Sequence, residues 1–595
     1  MFTASFQTAY STDQQQASPP TFEYTIPMKN STTREQTINN IRQTPDIDVL
    51  IIGGGVNGIG LFRDLAINGV HVLLAEKADF CSGASAASSH MAHGGIRYLE
   101  NGEFRLVREA VKERNRLLVN APHYVKPLPT TIPMFKAFSG LFNAPLKFVR
   151  LLDKPSERGA LIIKMGLIMY DAYTGRKRTV PRHTFRSRKS SLAHHPLLNP
   201  DIIATATYFD GAILQPERLC LEMILDAEAA NPNARAVNYL TADGAEADTV
   251  HLIDQVSGET VAVRPKVVVN AAGPWIDFAN DALGKSSRFI GGTKGSHLVL
   301  NHPELREAIG DNEFFFENKD GRIVLIFPWF DKVLIGTSDL KIDHPDDVRC
   351  TEEEVDYFIG MLSKIFPSIA VTREHIVFRF SGVRPLPAQD AATTGQISRD
   401  HSIRVIEAEG EKRPFSILSL VGGKWTSFRA FAEQVTDETL ARLGGTRTRS
   451  TRDLPIGGGD QYPTTASAQQ EWVNTVAAEY DLPPARVQTL FDRYGSRAKA
   501  IAAFCAAAND DQPLTHRADY STAEIRFLVQ MEKIVYLDDL ILRRTLIGML
   551  GELTLPLLQE LCAILAAANG WDNARRQAEE DRTLALLAER HQVIL

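Results

Sequence analysis

The stretch Asp46–Phe80, DIDVLIIGGGVNGIGLFRDLAINGVHVLLAEKADF, decides the fold. Val49 to Ile52 form a short apolar run suited to a parallel strand buried on both faces. Gly53-x-Gly55-x-x-Gly58 follows at once. Leu61, Leu65 and Ile67 then mark one face of a helix that Asn68-Gly69 stops. Val70 to Ala75 predict a second buried strand, ending at Glu76, 18 residues beyond Gly58. Gly53 allows the tight turn, Gly55 lets backbone amides approach a pyrophosphate, and Gly58 lets the helix pack close to the strand. The helix N-terminus offers unpaired N–H groups and a partial positive charge. Glu76 suits a ribose diol and repels a 2′-phosphate, which disfavours NADP. A lone glycine turn is weak; with strand, helix, strand and acid in register it specifies a dinucleotide site. The turn alone does not separate FAD from NAD.

The separation comes from far along the chain. Val263–Asp277, VRPKVVVNAAGPWID, predicts a buried strand Val267 to Asn270 that ends on the small residues Ala271, Ala272 and Gly273. Phe415–Val435, FSILSLVGGKWTSFRAFAEQV, predicts a strand Ile417 to Val421, a Gly422-Gly423 hinge and a helix from Thr426, with Thr426 as its cap. A helix N-terminus against a flavin stabilises negative charge on the reduced ring. A nucleotide domain assembled from both ends of a long chain, with another domain inserted, points to a flavoprotein. A simple dehydrogenase usually keeps that domain contiguous.

Composition narrows the setting. The chain has 595 residues, 44% of them apolar, and a net charge of −7, so no global basic footprint suggests nucleic acid. Its five cysteines, Cys81, Cys220, Cys350, Cys505 and Cys562, form no CxxC pair, which suits a reducing compartment and disfavours a disulfide frame or a zinc site. No apolar run reaches the ~18 residues of a membrane span. The N-terminus lacks the pattern of a secretory signal or a transit peptide. Residues 1–45, polar and Gln-rich, are expected to be disordered.

The segments IIGGGVNGIGLFRDLAINGVHVLLAEK, HGGIRYLENGEFRLVREA, KGSHLVL, VVNAAGPW, SGVRPL and GGKWTSFR, in this order, resemble the FAD-dependent glycerol-3-phosphate dehydrogenases. The resemblance spans roughly residues 47–440 and continues more weakly beyond. It implies oxidation of sn-glycerol 3-phosphate to dihydroxyacetone phosphate, with the C2 hydride passing to N5 of FAD and the electrons to a membrane quinone. It also implies a peripheral protein on the inner, cytoplasmic face of the cell membrane, often a homodimer. Where the family usually carries a lysine before its His-Gly-Gly, this chain has His90, expected as a polar contact. An oxygen-reducing oxidase, a dehydrogenase of another polyol phosphate such as an erythritol phosphate, and a non-catalytic flavin-bound scaffold stay open as alternatives.

The expected architecture is α/β. A discontinuous Rossmann-like FAD-binding domain (about 46–125, 215–280 and 380–440) carries an inserted antiparallel-sheet substrate domain (about 126–214 and 281–379). A linker at 446–460 leads to an all-α domain at 461–595. Within the insertion, Ile323 to Phe327 and Val333 to Ile335 predict a hairpin. FAD contacts are expected from Gly53, Gly55, Gly58, Glu76, Ser88, Ser89, His93, Gly94, Ala272, Gly273, Gly423, Lys424 and Thr426. A phosphorylated polyol demands cations and planar donors; Arg97, Arg384, Lys424 and the Tyr98 hydroxyl are the candidates. Oxidising a secondary alcohol needs a base near neutrality, and His297 is favoured over His93. Arg97, Arg384 and His297 thus form the expected catalytic set, with no metal. The basic amphipathic stretch from Lys136 to about Tyr170 is expected on an anionic bilayer.

Overall fold

The computed structural model describes residues 33–99, 103–136, 160–174, 179–318, 322–346, 348–388 and 400–595. Asp46–Ile52 forms the centre of the first sheet. It pairs in parallel with Thr260–Asn270 on one side and Val72–Glu76 on the other, with Val49 opposite both Val267 and Val72. Val72–Glu76 continues to Ala234–Asn238, and Thr260–Asn270 to Ser416–Val421, again in parallel. Ser402–Ile406 closes one edge in antiparallel. Both faces are covered, so Val49, Leu50 and Ile51 are fully buried, as an uninterrupted apolar run requires. Helices Val56–Ile67 and Phe428–Arg442 pack together over one face; a Cβ on Gly60 would lie 2.6 Å from the Phe428 ring, so glycine sets their separation.

Among the described residues the second sheet has ten strands. Thr293–Leu300 lies between Lys332–Gly336 and Ile376–Arg384, antiparallel to both. The expected hairpin is present as Ile323–Trp329 and Lys332–Gly336. One pair departs from an antiparallel plan: Glu313–Glu317 runs parallel to Val125–Met134. The C-terminal domain is helical from Ala466–Tyr480 to Asn573–Leu586, and its core is continuous with Trp329, Phe378 and Phe380 of this sheet.

Several expected boundaries move. Residues 34–43, expected to be disordered, form a helix with a Thr33–Gln36 capping box; Ile38 and Ile41 are buried against the first sheet, and Arg34 pairs with Asp254 at 2.6 Å. Residues 380–384, expected in the FAD-binding domain, belong to the second sheet, as does Met91–Ala92. The stretch 446–460, expected as a linker, is a packed strap. Arg447 pairs with the buried Asp64 at 2.8 Å, and the amides of Gly457 and Gly458 donate to Asp226 and Glu222.

The helical domain is also locked to the first sheet by charge. Asp79, three residues past Glu76, is buried and accepts both terminal nitrogens of Arg544, at 2.6 and 2.9 Å, together with Arg543 Nε. Asn238, at the end of the adjacent strand, donates to Asp79 and to the carbonyl of Lys533.

Candidate active site

The glycine turn adopts the tight form its spacing demands. Gly53 has φ +109°, and a Cβ there would stand 2.6 Å from the carbonyl oxygen of Ala271. A Cβ on Gly58 would stand 2.0 Å from the carbonyl oxygen of Gly53, which ties helix to strand end. Gly55 precedes the first residue of the helix. Glu76 accepts from Gly54 N–H at 2.6 Å and Ala78 N–H at 2.9 Å, holding the turn. Burial pushes its carboxyl above the usual range, and those amides offset part of the rise. Ala272 and Gly273 follow the end of the neighbouring strand at Asn270, Gly273 opening the turn Gly273–Trp275 with φ +58°. Gly423, with φ +105°, packs against Asn57, whose buried Oδ1 has no hydrogen-bond partner among the described residues. A glycine cradle at a helix N-terminus, an acid at the second strand end and an unsatisfied amide oxygen beside it fit a dinucleotide with a large planar ring.

Sequence reading missed Ser85. Its hydroxyl accepts from Val56 N–H at 2.9 Å, at the helix N-terminus where a pyrophosphate is expected, and its carbonyl accepts from Trp425 Nε1. The available signal was a serine nine residues after Glu76 in the small-residue run CSGASAASS.

From Ser85 the chain crosses to the second sheet. Ala87 packs over Gly382, where a Cβ would come within 2.5 Å. Ser88 Oγ accepts from His90 N–H. Ser89 Oγ meets His297 Nε2 at 2.9 Å. The His297 ring lies parallel to Phe380 at 4.9 Å and fills the space Gly336 leaves, since a Cβ there would be 2.1 Å from the imidazole. With Nε2–H donating to Ser89, Nδ1 carries the lone pair, and it has no protein partner among the described residues. Arg384 reaches the same face: Gly295 has no Cβ, and one there would be 2.3 Å from Arg384 Nη2. The guanidinium donates to Thr337 Oγ1 at 2.7 Å, the carbonyl of Ser338 at 3.1 Å and Asp339 at 3.2 Å.

Further along, Thr426 does not cap the helix. Its hydroxyl accepts from His93 N–H at 2.9 Å and donates to the His93 carbonyl at 3.0 Å, clamping that residue's backbone, and the helix begins at Phe428. Gly94 N–H is held by Tyr170 and Asp210, and a Cβ on it would strike the Tyr170 hydroxyl. Lys424 Nζ lies 3.7 Å from the centre of the Tyr98 ring, a cation–π contact permitted by Gly95. Arg97 lies in the single turn Ile96–Leu99, and its side chain is outside the described residues. His90 corrects the expectation of a polar contact. It is fully buried, edge-on to Trp329 at 4.8 Å, and burial pushes its imidazole down to about 4.

The structure therefore groups His297, Ser89 and Arg384 on one face of the second sheet, and Lys424, Tyr98 and His93 with one another. Burial lowers the His297 pKa well below its ordinary value, and the charge of Arg384 and the proximity of His90 push it in the same direction. The imidazole is neutral and proton-accepting throughout the neutral range. The acid limb of the kcat/KM profile that belongs to His297 is accordingly expected well below pH 6.5; a limb at or above 6.5 that vanishes in His297→Asn contradicts this.

The chain matches the family described as FAD dependent oxidoreductase over residues 48–429, and the C-terminal domain of alpha-glycerophosphate oxidase over 449–576. It is 34% identical over 559 residues to a glycerol-3-phosphate dehydrogenase of Synechocystis, covering 89% of this chain and 95% of the relative. It is 32% identical over 512 residues to the D-erythritol 1-phosphate dehydrogenase of Brucella abortus, covering 84% and 94%. The fold superposes on the glycerol-3-phosphate dehydrogenase of Bacillus halodurans complexed with FAD, with a TM-score of 0.70 at 22% identity, over 93% of this chain and 97% of that one.

Proposed function

The chain belongs to the FAD-dependent glycerol-3-phosphate dehydrogenase family, and from this membership we propose that it oxidises sn-glycerol 3-phosphate to dihydroxyacetone phosphate. The observation that carries the reading is the shared face of His297 and Arg384, reached by the segment after Glu76, whose Ser85 meets the helix N-terminus at the glycine turn and whose Ser89 meets His297. FAD, the cofactor, supplies the two-electron acceptor for the hydride at C2. Arg384 binds the phosphate, with Lys424 and Tyr98 as further substrate contacts and Arg97 on the same segment. His297 Nδ1 takes the proton of the C2 hydroxyl, and Ser89 Oγ holds the ring through its other nitrogen, Nε2, at 2.9 Å. Gly53, Gly55, Gly58 and Glu76 would hold the nucleotide part of FAD, and Ala272, Gly273, Gly423, Thr426 and the Ser88–Gly94 segment would supply its further contacts.

Electron delivery to a membrane quinone belongs to the same proposal, with the protein on the inner face of the cell membrane. The helix Ala160–Thr174 supports it: Met165 and Ile168 are 58% and 53% exposed, while Ile163 and Leu167 pack inward. The basic part of that stretch, residues 137–159, lies outside the described residues. No helix among the described residues is long and apolar enough to cross a membrane. The relative from Brucella supports a second substrate, an erythritol phosphate, whose phosphate suits the same arginine.

Anaerobic addition of glycerol 3-phosphate to the FAD-loaded protein tests the function. Rapid bleaching of the flavin is expected, faster than with erythritol 1-phosphate. Lasting yellow colour with both polyol phosphates defeats the reading, and peroxide formed stoichiometrically in air removes the quinone.

A further inference from the structure

Alternation along a strand divides the Thr293–Leu300 and Ile376–Arg384 pair into two faces. Thr293, Gly295 and His297 share the face of Phe380, Gly382 and Arg384, as their register requires. Lys294, Ser296 and Ser381 point to the other side, where the helix Glu352–Ile365 packs. At the start of that helix Glu354 is buried and saturated with donors. One oxygen accepts from Ser296 Oγ at 2.9 Å and from Ser338 Oγ. The other accepts from Lys294 Nζ at 2.8 Å and Thr351 N–H at 2.9 Å. Burial favours the neutral acid, but these donors outweigh it and lower the pKa, so the group is a carboxylate.

Two of its partners lead straight to the reacting side. Ser338 lies in the loop Thr337–Asp339 that seats Arg384, and its own carbonyl accepts from Arg384 Nη2. Its hydroxyl, besides donating to Glu354, accepts from Ser296 N–H at 2.9 Å, the residue that precedes His297. Ser296 Oγ also meets Ser381 Oγ at 2.7 Å, three residues before Arg384. One carboxylate thus fastens the loop that aims the guanidinium and both strands that carry the two functional side chains.

We propose that Glu354 is a positioning residue, acting through Ser338 to hold Arg384 in the geometry that receives the substrate phosphate. This rests on the assignment of Arg384 made above. A buried hydrogen bond to a charged group is worth enough to shift binding about tenfold, and misplacing a binding group has effects of that order or larger.

The test compares Glu354→Gln and Ser338→Ala with the parent protein, all FAD-loaded. Each is expected to raise the KM for glycerol 3-phosphate about tenfold with kcat within about twofold. Each is also expected to weaken inorganic phosphate, titrated as a probe and read by flavin absorbance without turnover, by a similar factor. The double variant should be no weaker than the worse single one, because both act on one path. If Glu354→Gln melts early, Ser338→Ala alone carries the test. Unchanged KM and unchanged phosphate affinity in a folded variant overturn the proposal, as does additivity in the double variant. A parent protein that binds phosphate but is not bleached by glycerol 3-phosphate strikes instead at the function, leaving the phosphate comparison to judge Glu354.

Discussion

Replacing Arg384 by Ala raises the KM for glycerol 3-phosphate by about a hundredfold or more, while FAD stays bound. Truncating one member of a hydrogen-bonded charge pair costs about 2–5 kcal/mol, and the side chain is 21% exposed, which places it toward the lower part of that range. The cofactor is spared because Arg384 sits on the second sheet, opposite Thr293, with its guanidinium donating to Thr337, Ser338 and Asp339. Arg384→Lys should fall between parent and Ala, since an ammonium keeps the charge but loses the planar fork. Steady-state kinetics and the flavin-to-protein absorbance ratio decide the matter. Flavin loss with unchanged KM would assign the arginine to the cofactor.

The second large effect lies away from the chemistry. Asp79→Ala leaves Arg544, itself buried, without its carboxylate and one N–H of the Asn238 amide without its acceptor, while Arg543 keeps Asp538 and Asp539. Removing one partner of a buried pair costs about 3–5 kcal/mol, which should appear as a lowered urea midpoint. The acid sensitivity of the parent has a definite sign. Burial alone pushes the Asp79 carboxyl up, but Arg544 and Arg543 more than reverse this and hold it far below the usual range. A depressed carboxyl stabilises fully above its unfolded pKa, about 3.9, and that contribution drains away as pH falls from there toward the folded value. Asp79→Ala should therefore show a weaker dependence on pH below about 4 than the parent. Equal midpoints for the two proteins would mean that packing alone joins the domains.

What the sequence discloses follows from the range of the forces involved. The strand, turn and helix around Gly53, Gly55 and Gly58 are legible because each glycine answers a steric demand set within a few residues. The flavin was reached only by joining Ala271–Gly273 to Gly422–Gly423, two small-residue strand ends without individual meaning. Contacts made by a common residue type at long separation leave no such trace. Glu354 is one of three consecutive glutamates opening a helix, and nothing local tells that its carboxylate reaches Ser296, 58 residues earlier. His90 stands where the resemblance places a lysine, which suggests a polar contact, whereas its neighbours in space are Trp329 and Phe380. The helix at 34–43 hides in a Gln- and Asn-rich segment whose two isoleucines, Ile38 and Ile41, find the first sheet. The strap at 446–460 reads as loose because its arginines and glycines are satisfied by Asp64, Glu222 and Asp226 from elsewhere.

The first sheet takes its central strand from Asp46–Ile52 and an inner neighbour, two places away, from Ser416–Val421. On the ribosome the amino-terminal third therefore emerges long before that strand exists, at about 5–20 residues per second. For tens of seconds the nascent protein must shelter a half-built β-edge, and Asp79 has no arginine to meet until Arg543 and Arg544 arrive. Closing that sheet, and seating Gly423 against Asn57 beside the glycine turn, thus comes late in the making of each molecule.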